Sequence, residues 1–546
     1  MRRMRYLTWG IFVALVLTNF LFAQKKTAVD SSKQRRKNVR LQLPDEIIYG
    51  QNKSSRVVPK NKMTFPPAPT LLSPDYGTLF PALMISENKT VFSRKSVSEN
   101  ARKSLLAHWG RFQDTKFSGL WAQQGAVLNF QLAGHFQCIK GQFENSDYQS
   151  SGGSGFLGGN VTDNLSAIFA VDGGSQKYGL FRARQSNTTE RDVQHFLTEI
   201  VLDFSNDKGH LLKGRFFYRE DNFTDTDSSK LSMSDNWFGF NLGYNKKISS
   251  VFVHAYADYR HNSVGQDLRQ SIFEAKFSAG IIPFDFLRVN GRVSYQDVEV
   301  SNAESETKIF PELEVVITPL QKLGGKITLK QEIVPFDFSK WVQLNPYVDF
   351  SANLRPMEKE LELQTYVEWL ATDNLEVRGA LEFEKTKNDI FWTKNAQTDL
   401  FSWQRLQSTT MTKFSISGMW RLSPKLKLAG KLVTKFYSIN DDSLQHRDAN
   451  FPYAEKFNLP LSLQYQFTPN WNFDLGMNWV SSRHVSLLED EKLPSFVLLS
   501  AKLERNIFSH YSLFFEGSNL LDQSVEIWEN FPERGVSLRA GVRAEW

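Results

Sequence analysis

VSLRAGVRAEW, residues 536–546, closes the sequence. Read in twos, Val536, Leu538, Ala540, Val542, Ala544 and Trp546 fall on one side, and Ser537, Arg539, Gly541, Arg543 and Glu545 on the other. Successive side chains of a strand point to opposite faces, so this alternation describes a strand lying between an apolar surface and a wet one. A protein core and a lipid bilayer would each satisfy the apolar side. The rest of the chain decides between them.

The same period-two pattern recurs toward the N-terminus. Leu212, Gly214, Phe216 and Tyr218 alternate with Lys213, Arg215, Phe217 and Arg219; Leu287, Val289, Gly291, Val293 and Tyr295 alternate with Arg288, Asn290, Arg292, Ser294 and Gln296. Leu375, Val377, Gly379, Leu381 and Phe383 alternate with Glu376, Arg378, Ala380, Glu382 and Glu384. Between such runs lie short turns (SNDKG, NKKIS, TPLQK, ATDN, SPK, TPN) and, alternating with them, longer polar stretches (NFTDTDSSKLSMSD, NDDSLQHRDANFPYAEK, EGSNLLDQSVEIWENFPERG). Short turns on one rim and long loops on the other are the mark of an outer-membrane barrel. Counting along the pattern gives about 22 strands from 104–112 to 535–546, including 153–161, 195–205, 374–387 and 405–421. The expected fold is an all-β, transmembrane antiparallel β-barrel over 104–546, with an even strand count that leaves both chain ends in the periplasm. In such a ring the last strand closes against the first, and every backbone group finds a partner where the bilayer offers none. Val542, Ala544 and Trp546 mark this closing strand and the end read by the barrel-assembly machinery, with Trp546 in an interfacial aromatic girdle.

The first 23 residues carry Arg2, Arg3 and Arg5, an apolar run from Trp9 to Phe22, and Ala23, which reads as a cleaved signal peptide and so as export. Residues 24–103 hold the basic KQRRKNVR and the Pro-rich FPPAPTLLSPDYGTLFPA. Proline removes backbone donors, so this segment is expected to be a largely irregular periplasmic arm outside any sheet. Net charge +6 over 546 residues is dispersed, and no nucleic-acid-binding signature accompanies it. Cys138 is the single cysteine, so no intrachain disulfide holds the fold.

The ending FFEGSNLLDQSVEIWENFPERGVSLRAGVRAEW resembles the last hairpin of TonB-dependent receptors. Asn519, Leu520, Leu521 and Asp522 stand for that family's Asn-Leu-Phe-Asp-like element, Phe531, Pro532, Arg534 and Gly535 for its Pro and Gly-Arg loop, and Trp546 for its aromatic last residue. The segment LPDEIIYG, with Asp45, Glu46, Ile47, Ile48 and Tyr49, is similar to a TonB box, which implies docking to TonB by strand addition. About 54 residues separate Tyr49 from the first expected strand, too few for the complete plug domain of that family. A barrel of this size encloses a lumen that needs a plug. The occluding element is therefore expected from the N-terminal arm, from long extracellular loops such as 335–358 and 388–404, or from a separate periplasmic or surface protein.

Other motifs carry less. GSGFLG (153–158) matches a dinucleotide fingerprint in letters but lacks the following helix that phosphate binding needs. His254 reads as a hydrogen-bonded lumen-wall residue, and the acidic pieces at 225–228 and 488–492 as solvated loop charge without EF-hand spacing. No local Ser-His-acid signature is present, and the chain is read as neither an enzyme nor a cofactor binder. The basic residues Arg215, Arg288, Arg292, Lys427, Lys431 and Lys435 fall on the inward face, where wall solvation and ion pairing compete with attraction of anionic solutes. Trp341, Phe391, Trp392, Phe401 and Trp403 read as loop aromatics, either ligand-stacking or interfacial. The functional expectation is uptake or passage of a ligand across the outer membrane of a Gram-negative bacterium; the alternative is a non-transporting barrel anchoring or exporting a surface or periplasmic complex.

Overall fold

A computed structural model describes residues 102–546 except 125–127, 143–145, 181–189, 207–209, 227–231, 249–250, 266–267, 285, 302–304, 321, 351–355, 397–398 and 442–448. The segments read as signal peptide and TonB box, and the arm as far as residue 101, lie outside the described residues; Arg102 and Lys103, expected as the end of the arm, already belong to the first strand.

Along the chain come β1 (Arg102–Gly110), β2 (Thr115–Gln124), β3 (Leu128–Ile139), β4 (Tyr148–Asn160), β5 (Leu165–Gly179), β6 (Glu190–Ser205), β7 (His210–Thr226), β8 (Ser232–Ile248) and β9 (Val251–Val264). Then follow β10 (Leu268–Phe284), β11 (Leu287–Val300), β12 (Glu306–Leu320), β13 (Leu323–Val334), the seven-residue helix α1 (Phe338–Leu344), β14 (Met357–Thr372), β15 (Leu375–Lys394), β16 (Phe401–Ser423) and β17 (Leu426–Asn440). The chain ends with β18 (Phe457–Thr468), β19 (Trp471–Val480), β20 (Arg483–His484), β21 (Lys492–Leu493), β22 (Phe496–Phe508), β23 (Tyr511–Ser518), β24 (Glu526–Trp528), β25 (Phe531–Pro532) and β26 (Ser537–Glu545). The pairs β20–β21 and β24–β25 are small hairpins within loops; the other strands form one 22-stranded sheet.

Every pairing in that sheet is antiparallel between sequence neighbours, and β1 pairs with β26, so the sheet has no free edge. At the closure Leu105 faces Ala544 and Ala107 faces Val542, and the main chains of Lys103 and Trp546 exchange hydrogen bonds of 2.7 and 3.0 Å. The strand expectation therefore holds in number, order and location. No helix among the described residues is long and apolar enough to cross a membrane; strands do the crossing.

Alternation places Leu105, Phe117, Leu132, Phe216, Phe277, Val293, Leu313, Val367, Leu381, Phe414, Leu513 and Val542 on the outside of the ring, all exposed. An apolar surface that encircles a protein is far larger than a soluble monomer leaves uncovered, whereas a bilayer covers it. Phe284 and Phe286, stacked at 5.3 Å, with Trp369, Trp420, Phe508, Tyr511 and Trp546, are exposed at the short-turn rim, as an interfacial girdle requires.

Several strands run further toward the loops than the alternation indicates. β4 starts at Tyr148 rather than near 153 and β6 at Glu190 rather than near 195. The stretch 388–404, expected as a long loop, is mostly strand: β15 continues to Lys394 and β16 starts at Phe401, leaving 395–400 as the connection. A tilted strand needs about 9–11 residues to cross a bilayer, so these 20- and 23-residue strands project well beyond it. There the alternation fades: Ile390, Phe391 and Trp392 are consecutive, apolar and all buried.

Candidate functional site

The loop-side mouth of the barrel holds the main apolar cluster. It brings together Ile139, Tyr148, Tyr178, Val193 and Phe223 from β3 to β7, Ile390, Trp392, Phe401 and Trp403 from β15 and β16, and Trp528 and Phe531 from the last loop. At its centre lie Phe336, Phe338, Val342 and Val348 of the segment 335–350, which joins β13 toward β14. Phe338 has no exposed surface; its ring meets Phe223 edge-on at 5.0 Å and Trp403 at 5.7 Å. Tyr347 stacks on Phe531 with centroids 3.8 Å apart. A connection that would otherwise stand in solvent is thus folded inward as a strap, touching wall strands around much of the ring. Burial of its apolar side chains drives this inward fold.

Polar contacts fix the strap in place. Asp337 caps α1 by accepting the Lys340 N–H at 3.1 Å and also faces Arg219 of β7 at 2.8 Å. Arg219 lies within 3.0 Å of Asp221 and 3.2 Å of Asp235 as well, so one guanidinium links two wall carboxylates to one on the strap. Ser339 completes the latch. Its N–H donates to Asp235 at 2.9 Å, and its hydroxyl lies 2.7 Å from Asp235 and 2.6 Å from Asp221. One hydroxyl hydrogen serves only one of these two carboxyls, so the other contact needs a proton from the carboxyl side. Asp221 also takes the ring Nδ1 of His195 at 2.5 Å. Around the wall, Arg191, fully buried and bidentate on Asp225 at 2.6 and 2.9 Å, gives a third N–H to the Pro346 carbonyl at 3.0 Å. Asn262 and Gln270 donate to the Phe336 carbonyl, and the Phe401 and Asp349 N–H groups bond the Tyr347 and Phe401 carbonyls at 2.9 and 2.6 Å. In the last loop, burial raises the carboxyl of Glu533 to about 8 against the opposing pull of Arg534.

Among the described residues, 335–350 of the expected loop 335–358 is the occluding element at this mouth; the N-terminal arm as far as residue 101 lies outside them. The residues 388–404 instead supply the wall beneath it, and Phe391, Trp392, Phe401 and Trp403 are buried packing partners rather than loop aromatics. Trp341, only partly buried, sets its ring edge-on to Trp392 at 5.9 Å.

Below the strap the inward face is charged. Arg215 bonds Glu199 at 2.9 Å, Arg288 reaches Glu314 at 3.4 Å and Arg292 reaches Glu312 at 2.8 Å, so these three expected basic residues are matched by wall carboxylates. Lys330 and Lys359 converge on Glu362 at 3.3 and 2.9 Å. Lys427, Lys431 and Lys435 of β17 have no such partner among the described residues. His254 is buried at the wall beside Tyr256, with its Nδ1 unbonded, so the expected hydrogen bond at that atom is absent. GSGFLG lies wholly within β4, flat in the sheet. Val542 faces outward and Ala544 pairs with Leu105 and Tyr511. The sequence reading turns Arg219 inward but gives it no latch role, and it missed Asp221, Asp235, Asp337 and Ser339; the one available signal was the repetition of acidic residues at the loop ends of β7 and β8.

No protein-family model matches the chain, and no curated protein matches it in sequence. Solved structures do. The FrpB iron transporter from Neisseria meningitidis (F3-3 variant) superposes with a TM-score of 0.67 at 10% identity, covering 83% of this chain and 82% of that one. The siderophore receptor PirA from Acinetobacter baumannii gives 0.65 at 11% identity over 83% and 81%. The copper transporter OprC gives 0.64 at 10% over 82% and 80%. The barrel thus has the fold of TonB-dependent outer-membrane receptors, in line with the resemblance of the terminal hairpin.

Proposed function

We propose that this chain is a gated outer-membrane passage, embedded in the outer membrane of a Gram-negative bacterium, that admits a ligand into the periplasm when the strap 335–350 is released. The observation that carries the reading is the strap itself, latched across the extracellular mouth by Arg219, Asp221, Asp235, Asp337 and Ser339. A barrel that only anchored a partner would need no closure built from buried ion pairs, because desolvating charges is costly unless they are paired. The structural neighbours, whose titles name an iron transporter, a siderophore receptor and a copper transporter, support the same class of activity. In this reading Asp45, Glu46, Ile47, Ile48 and Tyr49 meet TonB by strand addition and supply the energy for release. Val542, Ala544 and Trp546 present the end used by the assembly machinery.

The test is conductance of the full chain in planar bilayers. The native chain should show rare, brief openings, and a variant with 337–347 replaced by a short Gly-Ser linker should stay open for long periods. Equal conductance from both would overturn the gate.

A further inference from the structure

We infer that the lumen face of β16 and β17 is a binding stripe for multivalent oxyanions bearing carboxylate or phosphate groups, a step that rests on reading the barrel as a ligand passage. Alternation along β17 turns Lys427, Lys431 and Lys435 inward, and on β16 it turns Lys413 and Arg421 inward. Register then sets Arg421 directly opposite Lys427, and Lys413 directly opposite Lys435. Like charges directly opposite on an antiparallel pair repel and destabilise the sheet.

Elsewhere on this wall the same crowding is relieved from within the protein, as where Lys330 and Lys359 share Glu362. Lys413 has Glu382 at 2.8 Å. Arg421, Lys427, Lys431 and Lys435 have no ion pair and no side-chain hydrogen bond with a described residue. The neighbour across from Lys427 on β18 is Gln464, neutral and able to hydrogen-bond an anion but not to neutralise a cation. Lys431 is exposed to the lumen, and Lys427 is half-buried. Glu376 acts on Lys427, and Glu455 and Glu382 on Lys435, only from beyond ion-pair distance; the four cations therefore form a strip that the wall compensates in part, and a mobile anion in direct contact completes the compensation.

The spacing sets the class. Arg421 and Lys427 stand about 5 Å apart at Cβ, as direct cross-strand neighbours do, so a single carboxylate or phosphate bridges them. Lys431 lies four residues along from Lys427, about 13 Å at a strand's rise per residue. A monovalent anion engages one end only; a ligand with separated charges engages both. Guanidinium supplies the fork that bidentate carboxylate or phosphate recognition needs, and the lysines add point charges. Arg421 and Lys427 flank the short turn at 424–425, which places the tighter end of the stripe at the periplasmic rim, where a ligand leaving the lumen would pass.

The test is calorimetric titration of citrate and of pyrophosphate into the full chain in zwitterionic detergent at low salt, with acetate as monovalent control. Either multivalent anion should bind at least tenfold tighter than acetate, and the binding should weaken steeply with added salt. K427Q/K431Q should lose at least tenfold in affinity, whereas K213Q, which removes a cation already matched by Asp203, should not. The single variant K431Q, at an exposed position, serves where the double variant loses heat-modifiable mobility on gels. Citrate alone, pyrophosphate alone, or both binding through these residues supports the stripe and sorts carboxylate from phosphate. No binding of either, or binding unchanged in K431Q and K427Q/K431Q, overturns it. Because this assay reads equilibrium binding and not conductance, loss of the stripe with an intact gate refutes this inference alone, and an intact stripe without gating refutes only the passage.

Discussion

Replacing Ser339 by alanine is the sharpest perturbation of the strap. Alanine removes the hydroxyl that sits 2.6 Å from Asp221 and 2.7 Å from Asp235 and puts no new atom in the buried site. A hydrogen bond to a charged group contributes about 1.5–3 kcal/mol. The backbone N–H of residue 339 still donates to Asp235, and Arg219 still faces both acids, so only the hydroxyl's share is lost. Taking ~2 kcal/mol for one hydroxyl bond and the stranded acceptor, with tenfold for each 1.4 kcal/mol, strap opening should become about 30-fold more frequent. Hydrogen exchange on the detergent-solubilised chain reads this directly. The amides of Trp341 and Asn345, which bond to the Asp337 and Trp341 carbonyls, should exchange roughly 30-fold faster in S339A. Amides in the middle of β16, which answer to unfolding of the barrel and not of the strap, should be unchanged. Equal protection of Trp341 and Asn345 in the two proteins would refute the latch. Faster exchange throughout the barrel would show that Ser339 supports the whole fold rather than closure.

Two further outcomes follow from the same geometry. Phe277 is exposed on the outer face of β10, and F277R should destabilise the barrel refolded into liposomes by about 2–4 kcal/mol in urea titrations, the range for arginine near the bilayer midplane. Glu533 adds a pH dependence: its carboxyl, raised to about 8 in the folded loop, binds more protons there than in an opened loop, where an ordinary value near 4.5 applies. The loop's stability is therefore greatest at low pH and falls as pH rises from about 4.5 through 8, so gate openings in bilayers should be more frequent at pH 8.5 than at pH 6, and E533Q should flatten that difference.

Much of this architecture is legible in the sequence, for a simple physical reason. Where a strand has lipid on one side and water on the other, the code has a period of two, as in 287–295 and 375–383, and counting it yields the 22 strands with their order. Above the bilayer that constraint disappears. Ile390, Phe391 and Trp392 are apolar in succession because both faces of β15 are covered there, and such a run cannot be told from a loop by period alone. The strap reads as an irregular, Pro-containing connection, and nothing within 335–350 announces that Asp337 and Ser339 meet acids and an arginine more than a hundred residues away. Inward direction was likewise legible for Arg215, Arg288, Arg292, Lys427, Lys431 and Lys435. Their division into matched and unmatched cations was not, because it depends on register between strands, which fixes whether a carboxylate, a neutral residue or a second cation stands opposite.

The central claim is a closed ring, and its seam tests it most directly. Ala107 and Val542 are outward-facing register partners on β1 and β26, at opposite ends of the described chain. In a C138S background, cysteines at these two positions should cross-link on oxidation in the membrane, and after a proteolytic cut engineered into the 441–456 loop the two fragments should remain joined until reduced. Fragments that separate without reductant, in a protein that still folds and inserts, would mean that the sheet does not close and would contradict the barrel on which the gate and the anion stripe depend.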